Sequence, residues 1–135
     1  MTTRKYAIDT NIILDVLGER RPFFEKSRDV LAKCQLGEIQ GFITASTATD
    51  LFYLIHKKLH DIEATYEAME LIYSILSILP VTGEDIMEAH SEHAKDFEDA
   101  LLAVCAKKNG CGGIIARNGE DYYGFGLSVL SPDEI

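Results

Sequence analysis

The sequence predicts an α/β fold: a three-layer α/β/α sandwich around a central parallel sheet of four to five strands, in one domain over residues 1–135. Short β-like runs recur along the chain, and successive runs are separated by segments with helical apolar spacing. One run, Ile114-Ile115-Ala116, is apolar throughout, as a parallel strand covered on both faces must be. Acidic residues cluster where strands end or helices begin, the edge at which open parallel sheets bind ligands.

The first strand is Lys5-Tyr6-Ala7-Ile8, which ends at Asp9-Thr10-Asn11. Ile12, Ile13, Val16 and Leu17 follow at helical spacing up to Gly18. Arg21-Pro22-Phe23 opens a second helix, with Pro22 suited to its first turn, and Phe23, Phe24, Val30, Leu31 and Cys34 form its apolar side. Phe42-Ile43-Thr44-Ala45 is the second strand, and Ser46 or Thr47 caps the next helix, which runs through Leu51, Phe52, Leu54, Ile55 and Leu59. A further helix over Glu63 to Leu76 precedes a short strand, Ile78-Leu79-Pro80-Val81, made irregular by Pro80. Thr82 and Asp85 form a capping box for a helix to about His93.

The segment from Asp96 to Gly124 organises the rest. Asp96, Glu98 and Asp99 crowd a first helical turn, where the helix dipole favours carboxylates. Phe97, Leu101, Val104 and Cys105 recur at helical spacing with Ala100 on the same face, and Gly110 is placed to end the helix. The strand Ile114-Ile115-Ala116 then delivers the loop Asn118 to Asp121, and Leu127-Ser128-Val129-Leu130 is a last strand.

The net charge of −9 argues against a passive nucleic-acid-binding surface, but a cation at an acidic site leaves nucleic acid open as a substrate. No apolar run approaches the length of a membrane span, and the amino terminus lacks the apolar core of a signal peptide. Cys34, Cys105 and Cys111 are an odd number at no zinc-like spacing, which suits a reducing cytoplasm. Basic residues gather at Arg20, Arg21, Lys26 and Arg28, with smaller pairs at Lys57-Lys58 and Lys107-Lys108, each readable as a solvated helix end.

Asp9, Asp50, Asp96, Asp99 and Asp121 are expected to converge on one sheet edge, with Asn11 and Asn118 as neutral oxygen ligands or orienters beside them. Such carboxylates would repel each other without a counterion, and one or two Mg²⁺ or Mn²⁺ ions are the natural partners of an all-oxygen site. Ordinary helix capping and loop solvation also use these residue types, so the acids alone leave both readings open.

The opening AIDTNIILDVLGERRPF and the interior DFEDALLAVCA…ARNGEDY resemble the PIN domain, the fold of the VapC-type toxins of toxin–antitoxin pairs, over nearly the whole chain. The resemblance implies a metal-dependent endoribonuclease acting on RNA, often a homodimer, held inactive by an antitoxin protein. It assigns Asp9 as the first metal-binding acid with Asn11 beside it, Asp99 as the third acid, and Asp121 with Asn118 in the loop after the strand. Asp96 belongs to the DFEDAL motif. Asp50 departs from the pattern, because the family has Glu at the second position, and its shorter side chain suits an orienting role through water. Ala116 stands where the family often has Thr.

His56 and His60, and His90 and His93, each share a helix face but form no HExxH motif, and read as surface or cap residues. Cys34 and Cys105 read as small core residues. Exposed-looking helix aromatics, Phe23, Phe24, Phe52, Tyr53 and Tyr66, suggest pairing through helices away from the acidic edge. Two other function classes stand beside the nuclease: a non-catalytic PIN-like binding domain with a weakened site, and a phosphatase or phospho-receiver. The last lacks the D-x-D or the strand-end Asp and Lys that its chemistry needs.

Overall fold

The strands are β1 (Lys5–Ile8), β2 (Gln40–Thr44), β3 (Ser77–Leu79), β4 (Gly113–Ile115) and β5 (Ser128–Leu130), hydrogen-bonded in the order β3-β2-β1-β4-β5. Every pairing is parallel. These come from a computed structural model that describes residues 3–135. The helices are α1 (Thr10–Leu17), α2 (Phe24–Gln35), α3 (Ala45–Leu59), α4 (Ile62–Ile75), α5 (Gly83–Ser91) and α6 (Phe97–Lys108). A 3-10 turn, Gly119–Tyr122, follows β4.

The pleat sorts the strand residues between two cores. Tyr6 and Ile8 of β1 pack with Ile43 of β2 and Ile115 of β4 against α1 to α4. Ala7 and Ile114 face the other way, onto α6 and Ala89 of α5. A helical layer on each face of one parallel sheet is the predicted sandwich.

The order reverses at β1, which hands on to β2 on one side and meets β4 on the other. Open parallel sheets bind ligands at such a switch point, which here lies at the carboxyl ends of β1 and β4.

Polar residues at strand ends start the helices. Asp9 caps α1, Thr44 caps α3, Asp61 caps α4, and Thr82 with Asp85 makes the expected capping box on α5. Asp96 caps α6 by accepting the Asp99 amide at 3.1 Å. Each cap satisfies an amide that the helix leaves without a partner.

Four local expectations are corrected. Pro22 lies ahead of α2 rather than in its first turn. The α3 cap is Thr44, the last residue of β2, so Ser46 and Thr47 fall inside the helix with their hydroxyls free to turn elsewhere. β3 ends before Pro80, which has no N–H to give to a ladder. α6 carries no apolar stripe: Ala100 to Ala106 are all buried, while Phe97 is 41% exposed. α6 lies over the middle of the sheet, so its small residues let it sit close and its length is enclosed. Leu101→Ala in this helix would cost about 2–5 kcal/mol as a cavity.

Close packing also fixes the pairing of β4 with β5. A side chain at Gly113 would begin 2.7 Å from the Ser128 carbonyl oxygen, so β4 accepts β5 only with glycine there. Among the described residues no helix is long and apolar enough to cross a membrane.

Candidate active site

Asp9 leaves β1 in extended conformation and turns the chain into α1. Its amide donates to the Ile115 carbonyl at 3.0 Å, which pins it beside the carboxyl end of β4. Its Oδ1 accepts the Asn11 amide at 2.8 Å, and the residue is only 7% exposed. Oδ2 accepts the hydroxyl of Tyr122.

Tyr122 closes the 3-10 turn after β4, and its ring is buried at 1% exposure in the α6 side of the core. The same hydroxyl lies 3.1 Å from Oδ1 of Asp99, on the first turn of α6. One hydroxyl therefore touches carboxylates from two separate elements. Burial and the neighbouring Asp9 push the phenol far above its ordinary pKa, so it stays a hydrogen-bond donor.

Asp99 is half-buried, and its carboxyl is pushed up to about 7. Burial is the largest cause, followed by Asp96 and Asp9; the Tyr122 hydrogen bond offsets part of the rise, and Asp121 adds to it. Three of the other expected acids, Asp96, Asp9 and Asp121, thus act on Asp99. Asp96 is exposed as the α6 cap, and Asp121 is exposed on the turn, where its Oδ1 faces the Asn118 Nδ2 at 3.4 Å. Asn118 also accepts the Glu120 amide at 3.3 Å, which holds the turn's shape. Asn11 is exposed beside Asp9 and accepts from Arg20 Nη1 at 3.4 Å.

The fifth acid stands apart. Asp50 is exposed on α3, and its field falls on Glu98. Glu98, half-buried on α6, accepts from Ser46 Oγ at 3.2 Å and Thr47 Oγ1 at 3.3 Å. Burial raises its carboxyl first, and Asp50 adds to the rise.

Two residues at this edge went unassigned in the sequence, Tyr122 and Glu98. A hydroxyl-bearing aromatic directly after Asp121 was the signal for the first. Two hydroxyls following β2, opposite an extra acid in DFED, were the signal for the second.

Fully buried Asp15 of α1 holds the loop after β4. Its Oδ2 pairs with Arg117 Nε at 2.8 Å and accepts Ser27 Oγ at 3.1 Å. Arg117 also lies over the Phe23 ring at 3.9 Å. A buried carboxylate of this kind needs its cation, so the pair anchors the start of the Asn118–Asp121 turn to α1.

Among the described residues no three His, Cys, Asp or Glu side chains already close on one point as a cation cage. The donor chemistry nevertheless fits a hard divalent ion. Asp9 and Asp99 offer carboxyl oxygens a single hydroxyl apart, Asp96 and Asp121 lie within electrostatic reach of Asp99, and the Asp99 carboxyl, raised first by burial and then by its acidic neighbours, is one whose charged form a cation would favour. The histidines sit elsewhere: His60 ends α3 with a positive φ of 54°, His90 is exposed in the last turn of α5, and His93 is exposed just after it. All three cysteines are buried, and burial pushes the Cys34 thiol up to about 11.

Comparison with known proteins gives one consistent answer. The PIN domain family matches residues 5–120. "Ribonuclease VapC1" of Aquifex aeolicus is 28% identical over 139 aligned positions, covering 99% of this chain and 94% of that protein. Among solved structures, a toxin–antitoxin complex from Klebsiella pneumoniae superposes with a TM-score of 0.68 at 23% identity, covering 96% of this chain and 99% of that one. The Mycobacterium tuberculosis toxin VapC20, described as cleaving the sarcin–ricin loop, gives 0.69 at 14% identity over 91% of this chain and 96% of its own. VapBC2 from Rickettsia felis, bound to a fragment of its promoter DNA, gives 0.69 at 16% over 94% and 98%.

Proposed function

Because the chain belongs to the PIN domain family, we propose that it is a metal-dependent endoribonuclease, cutting RNA phosphodiester bonds at the acidic edge as the toxin of a toxin–antitoxin pair. The observation that carries this reading is the meeting of Asp9 and Asp99, from different elements, at the Tyr122 hydroxyl by the sheet's switch point. Among the relatives, one is named a ribonuclease, and several solved structures are toxins or toxin–antitoxin complexes.

Asp9 and Asp99 would hold Mg²⁺ or Mn²⁺ directly, since both are fixed by rigid elements. Asp96 and Asp121, exposed at the rim, would complete the oxygen set or orient water, with Asn11 and Asn118 as neutral oxygens beside them. Asp50 and Glu98 would orient from the α3 side. A bound ion would supply positive charge against the phosphoryl oxygens and acidify a water for in-line attack. The chain's own residues do the rest. The carboxylates fix where positive charge sits, and the exposed Arg20 beside Asn11 offers a cation to the RNA backbone.

The same reading extends to an antitoxin protein as partner, to a cytoplasmic setting, and to a homodimer formed by exposed aromatics such as Phe23, Tyr53 and Tyr66. The test is incubation of the purified protein with mixed RNAs in Mg²⁺, in Mn²⁺ and in chelator. Cleavage that requires the metal supports the nuclease. RNA that is bound but never cut with any divalent ion would instead identify a non-catalytic PIN-like binding domain.

A further inference from the structure

We propose that Tyr122 is the positioning residue of the acidic site, its buried hydroxyl setting the arrangement in which Asp9 and Asp99 receive the cation. The inference rests on the metal-dependent reading above and adds to it a residue that is not itself an acid. Three elements meet at this one atom. Asp9 comes from the end of β1, Asp99 from the start of α6, and Tyr122 from the turn after β4. The phenol contacts Asp9 Oδ2 and stands 3.1 Å from Asp99 Oδ1.

A tyrosine that merely filled space here would not need its oxygen. The ring is enclosed in the core around α6, so Phe would supply the same apolar contact. A buried phenol keeps its hydroxyl only where it finds a partner, and the partners here are the two acids of the site. Both Asp9 oxygens accept one hydrogen bond each and keep a second lone pair for a cation, whereas one Asp99 oxygen is left open. Asp9 Oδ1 is turned toward the Asn11 amide, and Asp99 Oδ2 makes no hydrogen bond to any described residue.

The contact also reaches the loop. Tyr122 directly follows Asp121 and stands four residues after Asn118 in the same turn. Tethering its hydroxyl to β1 and α6 therefore holds the turn that carries those two residues at the switch point. Groups that orient a metal's ligands typically change affinity or activity by about 10–100-fold when removed.

The test is Tyr122→Phe, read by Mn²⁺ titration calorimetry and by thermal melting in chelator. The ring stays, so the metal-free variant should fold, and its Mn²⁺ affinity should fall by about 10–100-fold. Unchanged or tighter Mn²⁺ binding would overturn the assignment, whatever happens to the melting temperature, because a purely structural tyrosine lowers stability without moving affinity.

A second measurement needs no variant. The chain has no tryptophan, so a tyrosine absorbance difference spectrum on adding Mn²⁺ to the wild type should show a perturbed phenol. That signal should vanish in Asp9→Asn; a silent wild-type spectrum under saturating Mn²⁺ would count against the contact. Should the wild type bind neither Mn²⁺ nor Mg²⁺, the functional reading itself falls. Normal wild-type binding with an equally good Phe variant removes only the role of Tyr122.

Discussion

Thr47 donates its hydroxyl to Glu98 across 3.3 Å, and with Ser46 beside it this contact ties α3 to the first turn of α6 at the acidic edge. The expected acid from α3, Asp50, is exposed one turn further along. Glu98 therefore brings the better-held carboxylate to the α3 side of the site. Replacing Glu98 by Ala should lower Mn²⁺-dependent RNA cleavage more than Asp50→Asn does. It should also cost about 1 kcal/mol of stability as two hydroxyls lose their acceptor. Cleavage rates and denaturant melts of the two variants check this; an Asp50→Asn variant that is the more damaged would reverse the ranking.

On the far side of α6, Asp85 joins a capping box to an ion pair. It accepts the Thr82 amide at 2.9 Å and the Lys108 ammonium at 3.0 Å, and Thr82 first and then Lys108 hold its carboxyl below the usual range. A lowered folded pKa contributes stability above the unfolded value of about 3.9, which is lost as pH falls through the folded value. Asp85→Asn should remove that part of the acid-side dependence and cost about 1–3 kcal/mol at neutral pH, as a buried cap is weakened. Melting curves as a function of pH would show an unaltered acid limb if the assignment is wrong.

Asp99 works with the opposite sign. Its carboxyl, pushed up to about 7 chiefly by burial and then by Asp96 and Asp9, binds a proton in the folded state that the unfolded chain has already lost. That contribution is full below about pH 4 and disappears as pH rises through the folded value. The metal-free protein should therefore melt lower at about pH 8 than at about pH 6, on either side of the folded value of about 7. Asp99→Asn should flatten the difference, because its amide does not titrate. Divalent ions should raise the wild-type melting temperature most at the higher pH, where the carboxylate is free. Thermal scans in chelator and in Mn²⁺ provide the comparison, and equal slopes in wild type and variant would contradict it.

Exposed aromatics offer a surface for self-association. Tyr53 and Tyr66 are 67% and 54% exposed and meet the Phe52 ring edge-on, on α3 and α4. Light scattering at tens of micromolar should give twice the chain mass. A monomer mass there, or an unchanged dimer in a Tyr53→Glu, Tyr66→Glu double variant, would place the contact elsewhere or remove it.

Much of this was legible in the sequence, for a physical reason. Parallel strands with two covered faces and helices with capped starts leave strong local signals, so the element order and the positions of Asp9, Asp99 and Asp121 could be read from spacing. The N-cap of α3 was misplaced because Thr44, Ser46 and Thr47 are equally good caps by residue type. Only the end of β2 decides among them. Tyr122 and Glu98 were hidden because their roles depend on three-dimensional meetings. A tyrosine in a loop reads as an ordinary surface aromatic until its hydroxyl is found between two acids 113 and 23 residues away. α6 shows no apolar stripe because its middle, Ala100 to Ala106, is enclosed all round, so that burial could not be read from periodicity.

The central claim is that Asp9 and Asp99 hold the ion with which this chain cuts RNA. Initial rates of RNA cleavage in Mn²⁺, measured side by side for the wild type, Asp9→Asn, Asp99→Asn and Asp50→Asn, test it most directly. The account predicts no metal-dependent cleavage by the first two variants and a reduced but measurable rate for Asp50→Asn, with RNA binding kept in all three. Near-wild-type cleavage by folded Asp9→Asn or Asp99→Asn would contradict it.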